Sequence, residues 1–536
     1  MTDFIDELIW RGRFHQATDE PGLRAHLADP ATSPRRAYIG FDPTADSLTV
    51  GNLTQIITLA LFQRAGHIPV VIAGGGTGLI GDPSGKTAER TLRTRDEVNA
   101  NVEKQKAIYS RILDFSAARP NRANLLNNAD WLCELSYLDA LRDIGKHFSV
   151  NMMIQKDSVR ERLHNRDQGI SYTEFSYMIL QAYDFLHLYE KHGVTLQMGG
   201  SDQWGNIVAG TDLISSAGIE SLARCSHLSR QAATVSGADE ELETEWQRYH
   251  SAGGWPWSSG DSGGAASTTS ILPDGTVLRF PPEIQNMYAN ARGRWNAFGL
   301  TTSLITKADG GKFGKTESGA IWLTAPAPGE SSTNRTSPYE FYQFWLNTAD
   351  ADVPKFLRTF TLLPRDEITA LEAAHAADPG KRDAHRALAR HMTDLLHGPT
   401  ELNRAEAAAR ALFSGDVRSL DFAAIQQIVR TLPADKQGVP SPTDPAGFAA
   451  LKSGGLRAQD LIAASGVCAS NREIKESLAA GAIAINATPV TSADQRFTPA
   501  DLVASPTGDS FIALVRRGKK TWGSVVIRPD PSSPAP

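Results

Sequence analysis

Along the N-terminal half of the chain, apolar residues fall into short unbroken runs separated by stretches of helical spacing. Tyr38-Ile39-Gly40-Phe41 breaks at Pro43, and a helical pattern follows in which Leu48, Asn52 and Gln55 share a face and which ends at Gly66. Ile68–Ala73 is a continuous apolar run of the kind buried in a parallel sheet, and it opens directly into the glycine-rich stretch Gly74–Lys86. Val194–Met198 repeats the pattern and opens into Gly199-Gly200-Ser201-Asp202-Gln203-Trp204-Gly205-Asn206. Strand, helix, strand and glycine loop in succession predict a doubly wound α/β fold with its ligands at the carboxyl ends of the strands. Residues 3–28 and 90–145 read as helical, the first with a break at Pro21-Gly22. Arg90, Arg93 and Arg95 form either a solvated face or a basic loop over a phosphate.

The stretch Tyr172–Leu186 predicts a helix capped by Thr173, with Phe175, Met178, Ile179, Ala182, Phe185 and Leu186 as its apolar stripe. Tyr177, Gln181 and Asp184 share another face. They form either a solvent face or a row of hydroxyl, amide and carboxylate for one small ligand. Residues 229–290 are rich in Ser, Gly and acidic side chains and read as an insertion, with a hairpin around Asp274-Gly275. The chain returns to apolar residues at Leu300–Ile305. The pattern then divides into a helical, Ala- and Arg-rich region over 335–433, a Pro/Gly-rich linker over 434–450, and a small module over 451–536. In that module, helices are expected from Arg457 and Ser470 and a strand at Ala482–Asn486.

The 536 residues exceed one ordinary domain. The formal charge of −6 excludes a generally basic nucleic-acid coat, so any nucleic-acid surface is local. Three cysteines, Cys133, Cys225 and Cys468, lie far apart, so neither a zinc site nor a disulfide framework is implied and a reducing compartment fits. The acidic N-terminus is unlike a targeting peptide, and no apolar run approaches membrane length.

Four further stretches bear on the chemistry. The handover from strand to helix over Tyr38–Leu53 presents backbone N–H groups suited to a phosphate, with Gly40 and Gly51 leaving room for a ligand. Gly85-Lys86-Thr87 matches the end of a Walker loop, but Ile80 stands where that motif requires glycine. Asp202, after a glycine pair, suits a ribose diol or a structural turn. Lys312 and Lys315, spaced by Phe313-Gly314, suit a polyphosphate or a plain surface loop.

Taken together and in order, Tyr38–Leu53, Gly74–Lys86, Phe175–Phe185, Gln197–Asn206 and Lys312–Thr316 resemble the bacterial-type tyrosyl-tRNA synthetases, which are class I enzymes. The resemblance covers nearly the whole chain outside the insertion. It implies a Rossmann-like parallel-sheet catalytic domain over 1–334, an α-helical anticodon-recognition domain over 335–433, and a small α+β S4-like RNA-binding domain over 451–536. It implies L-tyrosine, ATP and tRNA(Tyr) as substrates, Mg2+ as the ATP counter-ion, no tightly bound cofactor or metal, a homodimer and a cytoplasmic location. By motif position, Tyr38 and Asp184 would bind the tyrosine hydroxyl. Asp82, Tyr177 and Gln181 would bind its ammonium, and Gln203 would lie beside its carboxylate. Gly40, Asp42, Thr49, Gly51, Gly200, Asp202 and Lys315 would contact ATP. Thr44, Asn52, Lys86, Arg90, Lys312 and Lys315 would serve the reaction itself, and Arg457, Asn471, Arg472 and Lys475 would meet RNA.

One position departs from the family pattern. The signature there is His-x-Gly-His or His-x-Gly-Asn, whereas this chain has Thr49-Val50-Gly51-Asn52. A non-catalytic RNA-binding relative is the alternative that this change supports, although the lysines and the pocket residues are retained. An ATP-dependent ligase with a non-tRNA acceptor is a second alternative. A threonine hydroxyl is shorter than an imidazole and cannot become cationic. Thr49→His is therefore expected to speed adenylate formation by about 1–3 kcal/mol of barrier, the scale of one hydrogen bond to a charged group. An unchanged pre-steady-state rate would refute this role.

Overall fold

The computed structural model describes residues 3–81, 94–155, 159–160, 170–231, 269–271, 277–279, 296–306, 308, 315–316, 319–327, 333–432, 445–518 and 521–529. Its contacts divide the chain into two compact units. One contains residues 1–44, 58–104 and 113–304, and the other contains 45–57, 105–112 and 305–536.

The first unit is built on a six-stranded sheet. Its strands are β1 (Phe14–Ala17), β2 (Arg36–Phe41), β3 (Ile68–Ala73), β4 (Asn124–Asn127), β5 (Val194–Gly200) and β8 (Phe298–Thr302), in the order β1-β8-β5-β2-β3-β4. All neighbours are parallel except β1, which runs antiparallel to β8 at the edge. β6 (Thr269–Ile271) and β7 (Val277–Arg279) pair separately as the expected antiparallel hairpin, whose turn lies outside the described residues. The two apolar runs became β3 and β5, buried along almost their whole length because helices cover both faces of a parallel sheet. β2 lies between β3 and β5, so the chain reverses its direction of strand addition there. The carboxyl ends of β2 and β5 therefore bracket a topological switch point, where such sheets bind ligands.

Two expectations of helix are corrected. Residues 3–28 form two helices, Phe4–Trp10 and Glu20–Ala28, with β1 between them. Four residues are too few to show a period, and β1 exists because the outer edge of β8 takes up its hydrogen bonds. Residues 90–145 contain a helix, Arg95–Ile112, but also β4. Arg95 opens that helix on an exposed turn, whereas Arg90 and Arg93 lie outside the described residues.

In the second unit, helices Pro338–Leu346, Val353–Phe360, Arg365–Ala377, Asp383–Ser414 and Phe422–Thr431 occupy the region read as helical. Trp345 sits edge-on to Phe341, Phe356 and Phe360 and anchors this packing. The long helix kinks at Gly398-Pro399, as a proline without its N–H requires. A further helix, Pro445–Gly454, begins inside the segment read as linker. After it, helices Ala458–Ala464 and Asn471–Ala479 cover an antiparallel sheet centred on the strand Phe511–Arg517. Their shared core includes Leu461, Ile462, Ile474, Ile485, Ala513 and Val515. Among the described residues, no helix is long and apolar enough to cross a membrane.

Gly523 lies so close to the end of the Ala458–Ala464 helix that an added Cβ would stand 2.2 Å from the Ser465 carbonyl oxygen and 2.8 Å from Val467. Backbone cannot yield as a side chain can. Gly523→Ala is expected to destabilise this module by about 1–3 kcal/mol, read as a lower denaturation midpoint.

Candidate active site

The helix Tyr172–His192 carries the polar row. Ser171 caps it, accepting the Glu174 N–H at 3.2 Å, in place of the expected Thr173, which lies two positions further on, inside the helix. Gly193 ends it at φ 62°, a left-handed conformation that glycine adopts without strain. Tyr177 and Asp184 are buried and Gln181 is half-buried, so the row faces inward rather than toward solvent.

Asp184 is held from two sides. Its Oδ1 accepts the Trp131 indole N–H at 2.8 Å, and its Oδ2 accepts from Asn128 Nδ2 at 2.8 Å. Asn128 is itself fixed. Its Oδ1 accepts the Gly76 N–H at 2.7 Å, and its Nδ2 also reaches Thr77 Oγ1 at 3.0 Å. Burial pushes the Asp184 carboxyl up to about 7, although both hydrogen bonds pull it down and the Asp42 charge adds to the rise. Tyr38, on β2, is buried against Phe185 with ring centroids 5.4 Å apart. Its hydroxyl is raised well above the ordinary phenol value by burial first and by the Asp184 charge second. That buried hydroxyl has no hydrogen-bond partner among the described residues. A buried hydroxyl without a partner, beside a clamped carboxylate, is satisfied by a ligand that brings a hydroxyl of its own.

A second polar cluster surrounds Gln181. Asn206 Nδ2 donates to Gln181 Oε1 at 3.0 Å and to Gln203 Oε1 at 3.2 Å. The Tyr177 hydroxyl lies 3.4 Å from both Asp42 oxygens, and Thr77 Oγ1 donates to Asp42 at 3.2 Å. Gly200 ends β5, and Asp202 is exposed in the turn that follows. A Cβ on Gly200 would meet Asp202 Oδ1 at 2.5 Å, so glycine lets that carboxylate fold back over the strand end. Gly40 is exposed, with open space where a side chain would stand. Thr44 follows in a tight turn, its N–H donating to the Asp42 carbonyl at 2.8 Å.

In the second unit, Thr49 and Asn52 form one feature at the start of the helix Val50–Arg64. The Thr49 N–H and its Oγ1 both donate to Asn52 Oδ1, at 3.1 and 2.9 Å. This is the returning half of a capping box. It ties up the Asn52 oxygen beside the exposed Gly51. The segment is held in place by Val50 N–H to the Ile321 carbonyl and Leu323 N–H to the Leu48 carbonyl. Asp46 accepts from Arg335 and Asn334, both at 2.9 Å, in a largely buried pair. The strands Lys315–Thr316 and Gly319–Ala320 pair antiparallel immediately before Ile321, with Lys315 opposite Ala320. Asp82, Lys86, Arg90 and Lys312 lie outside the described residues, as does the side chain of Lys315.

In the C-terminal module, Arg457 pairs with Asp460 and Arg472 with Glu476 on exposed helix faces, where Asn471 and Lys475 also stand. Sequence reasoning missed Asn128 and Trp131, because both follow the unrecognised β4. The run Asn124-Leu125-Leu126-Asn127 before a second asparagine was the available signal. Thr77 and Asn206 stood inside the quoted motifs but were given no role.

The sequence model of the class I tRNA synthetases for tryptophan and tyrosine matches residues 30–241 and 284–414. A tyrosine–tRNA ligase of Geobacillus kaustophilus is 40% identical over 520 residues, which cover 97% of this chain and 98% of that protein. Tyrosine–tRNA ligase 1 of Bacillus subtilis is 39% identical over 528 residues, covering 98% of this chain and all of its own. Among solved structures, a C-terminally truncated mitochondrial tyrosyl-tRNA synthetase of Aspergillus nidulans superposes with a TM-score of 0.55 at 26% identity, covering 77% of this chain and 95% of its own.

The Asp184 carboxyl generates a stability test. Its folded value of about 7 lies above the unfolded value of about 4, so the folded state holds the proton more tightly. Its contribution to stability is complete below about pH 4 and is lost as the pH rises through about 7. In the ligand-free protein, the melting temperature is expected to fall more for the wild type than for Asp184→Asn between about pH 5 and pH 8, measured by scanning calorimetry. Parallel curves would contradict the raised value.

Proposed function

The chain belongs to the class I tRNA synthetase family of the tryptophan and tyrosine type, in its tyrosyl branch, and from that premise we propose how its residues divide the work. The chain attaches tyrosine to tRNA at the expense of ATP, and the non-catalytic alternative is not favoured. In the first step the tyrosine carboxylate attacks the ATP α-phosphorus, and pyrophosphate leaves with the bonding electrons. In the second, the terminal adenosine hydroxyl of the tRNA attacks the acyl carbon and AMP leaves. Neither step needs a covalent bond to the protein, so positioning and charge stabilisation carry the rate.

One observation carries the choice of tyrosine: the Tyr38 hydroxyl, without a hydrogen-bond partner among the described residues, beside the Asp184 carboxylate. The substrate phenol donates to Asp184 and accepts from Tyr38, completing both. Phenylalanine would leave both groups buried and unsatisfied. Tyr177, Gln181 and Asp82 take the substrate ammonium, and the Gln203 amide, steadied by Asn206, lies by its carboxylate. Gly40, Asp42, Gly51, Gly200 and Asp202 contact the adenosine, Asp202 through the ribose. Thr44, Thr49, Asn52, Lys86, Arg90, Lys312 and Lys315 meet the triphosphate, which brings Mg2+ as its counter-ion. Thr49 acts partly through Asn52, whose amide oxygen it holds.

The C-terminal module serves as an S4-like RNA-binding domain with Arg457, Asn471, Arg472 and Lys475 on its surface. A homodimer accounts for the exposed Tyr137, Leu138, Val150, Ile154 and Tyr172, large apolar side chains that a second copy would cover. The hydroxyls of Tyr137 and Tyr172 lie 3.5 Å apart, which brings two parts of this surface together. The cytoplasm is the expected compartment.

Tyrosine-dependent ATP–pyrophosphate exchange followed by charging of tRNA(Tyr) tests the whole reading. Exchange without charging would support the ligase with another acceptor. Within it, Tyr38→Phe is expected to lower kcat/KM for tyrosine by about 0.5–1.5 kcal/mol, and Asp184→Asn by about 1.5–3 kcal/mol, the scales of a neutral and a charged hydrogen bond. Unchanged tyrosine kinetics in both variants would remove the phenol from this pocket.

A further inference from the structure

His187 follows Asp184 by three positions on the Tyr172–His192 helix, so the two side chains point to the same side. The Trp131 indole lies between them in function. Its N–H edge donates to Asp184 at 2.8 Å, and its face stacks on the His187 imidazole with centroids 4.5 Å apart and planes inclined by 12°. Trp131 belongs to the four-residue helix Ala129–Leu132, whose preceding Asn128 makes no side-chain cap. So short a helix does little to fix the rotation of a large side chain. The stack supplies that constraint. Tyr183 and His192 stand around the imidazole at 6.3 and 5.9 Å. Burial, with His192 and Lys191 nearby, pushes His187 below its ordinary value, so it meets the indole as a neutral ring.

We propose that His187 is a positioning residue for tyrosine selectivity: it fixes the Trp131 ring, and the ring in turn aims the Asp184 carboxylate at the substrate phenol. The inference rests on the reading of Asp184 as the phenol acceptor. It differs from ordinary core packing in one respect. A substrate without the phenol hydroxyl makes no use of Asp184, so the effect of His187 is confined to tyrosine.

The test uses the full-length enzyme in ATP–pyrophosphate exchange with tyrosine and, separately, with phenylalanine. His187→Ala is expected to raise KM for tyrosine by about three- to tenfold, the scale of one aromatic pair, with kcat within about twofold and kcat/KM for phenylalanine unchanged. His187→Phe, which keeps a stacking ring, restores the tyrosine KM. In a Trp131→Phe background, His187→Ala adds no further loss, because the two act through one path. Unchanged tyrosine kinetics in His187→Ala, or equal losses for both substrates, would overturn the inference. Asp184→Asn separates the two levels. If that variant loses its tyrosine preference while His187→Ala behaves as wild type, the inference alone fails. If Asp184→Asn keeps the preference, the pocket reading fails and the inference falls with it.

Discussion

The buried Asp184 carboxylate is the constraint on which the packing around the proposed tyrosine pocket depends. A carboxylate out of water is costly unless every lone pair is met. Here the Trp131 indole and the Asn128 amide each supply one hydrogen bond, and Asn128 is anchored in turn by Gly76 and Thr77. These groups come from the Tyr172–His192 helix, from the chain after β4 and from the loop after β3. The loop after β3 and the start of the segment after β4 are therefore tied together by the need to keep one charge satisfied. The Tyr38 hydroxyl has no hydrogen-bond partner among the described residues, and we propose that the substrate phenol supplies one.

The second unit solves a different problem by the same means. That problem is to fix the turn before the Val50–Arg64 helix, whose Thr49 and Val50 N–H groups are both engaged, one by Asn52 and the other by the Ile321 carbonyl. The backbone pairing of Leu48 and Val50 with Ile321 and Leu323, and the Asp46 pair with Arg335 and Asn334, fix the turn from outside. The Thr49–Asn52 contact then fixes it from within. Thr49 is shorter than the family's histidine, yet it is not idle. Its N–H and its hydroxyl both hold the Asn52 oxygen.

Legibility in the sequence followed the length of each signal. β3 and β5 were plain because unbroken apolar runs ending in glycine have one common structural use. The polar row Tyr177, Gln181 and Asp184 was visible as a face, but a helical wheel cannot say what covers that face. Its burial came from Tyr38, Trp131 and Asn128, which the chain brings in from distant positions. β1 and β4 escaped because each spans four residues, below the span at which alternation is distinguishable from chance, and each exists only because a neighbouring strand offers an edge. With β4 unseen, the Asn128 and Trp131 that follow it had no place to act.

The sequence by itself determined β2, β3, β5 and the Tyr172–His192 helix, the positions of the glycine loops, the family and the types of side chain available to it. Each of these is carried by residues close together along the chain, where composition and spacing act directly. Tertiary structure alone decided that Asp184 is doubly clamped, that the Tyr38 hydroxyl has no partner among the described residues, and that Thr49 bonds to Asn52. Each of those depends on burial and on side chains meeting across different elements. The energy of a buried polar group is set by its neighbours in space, and no local pattern encodes them.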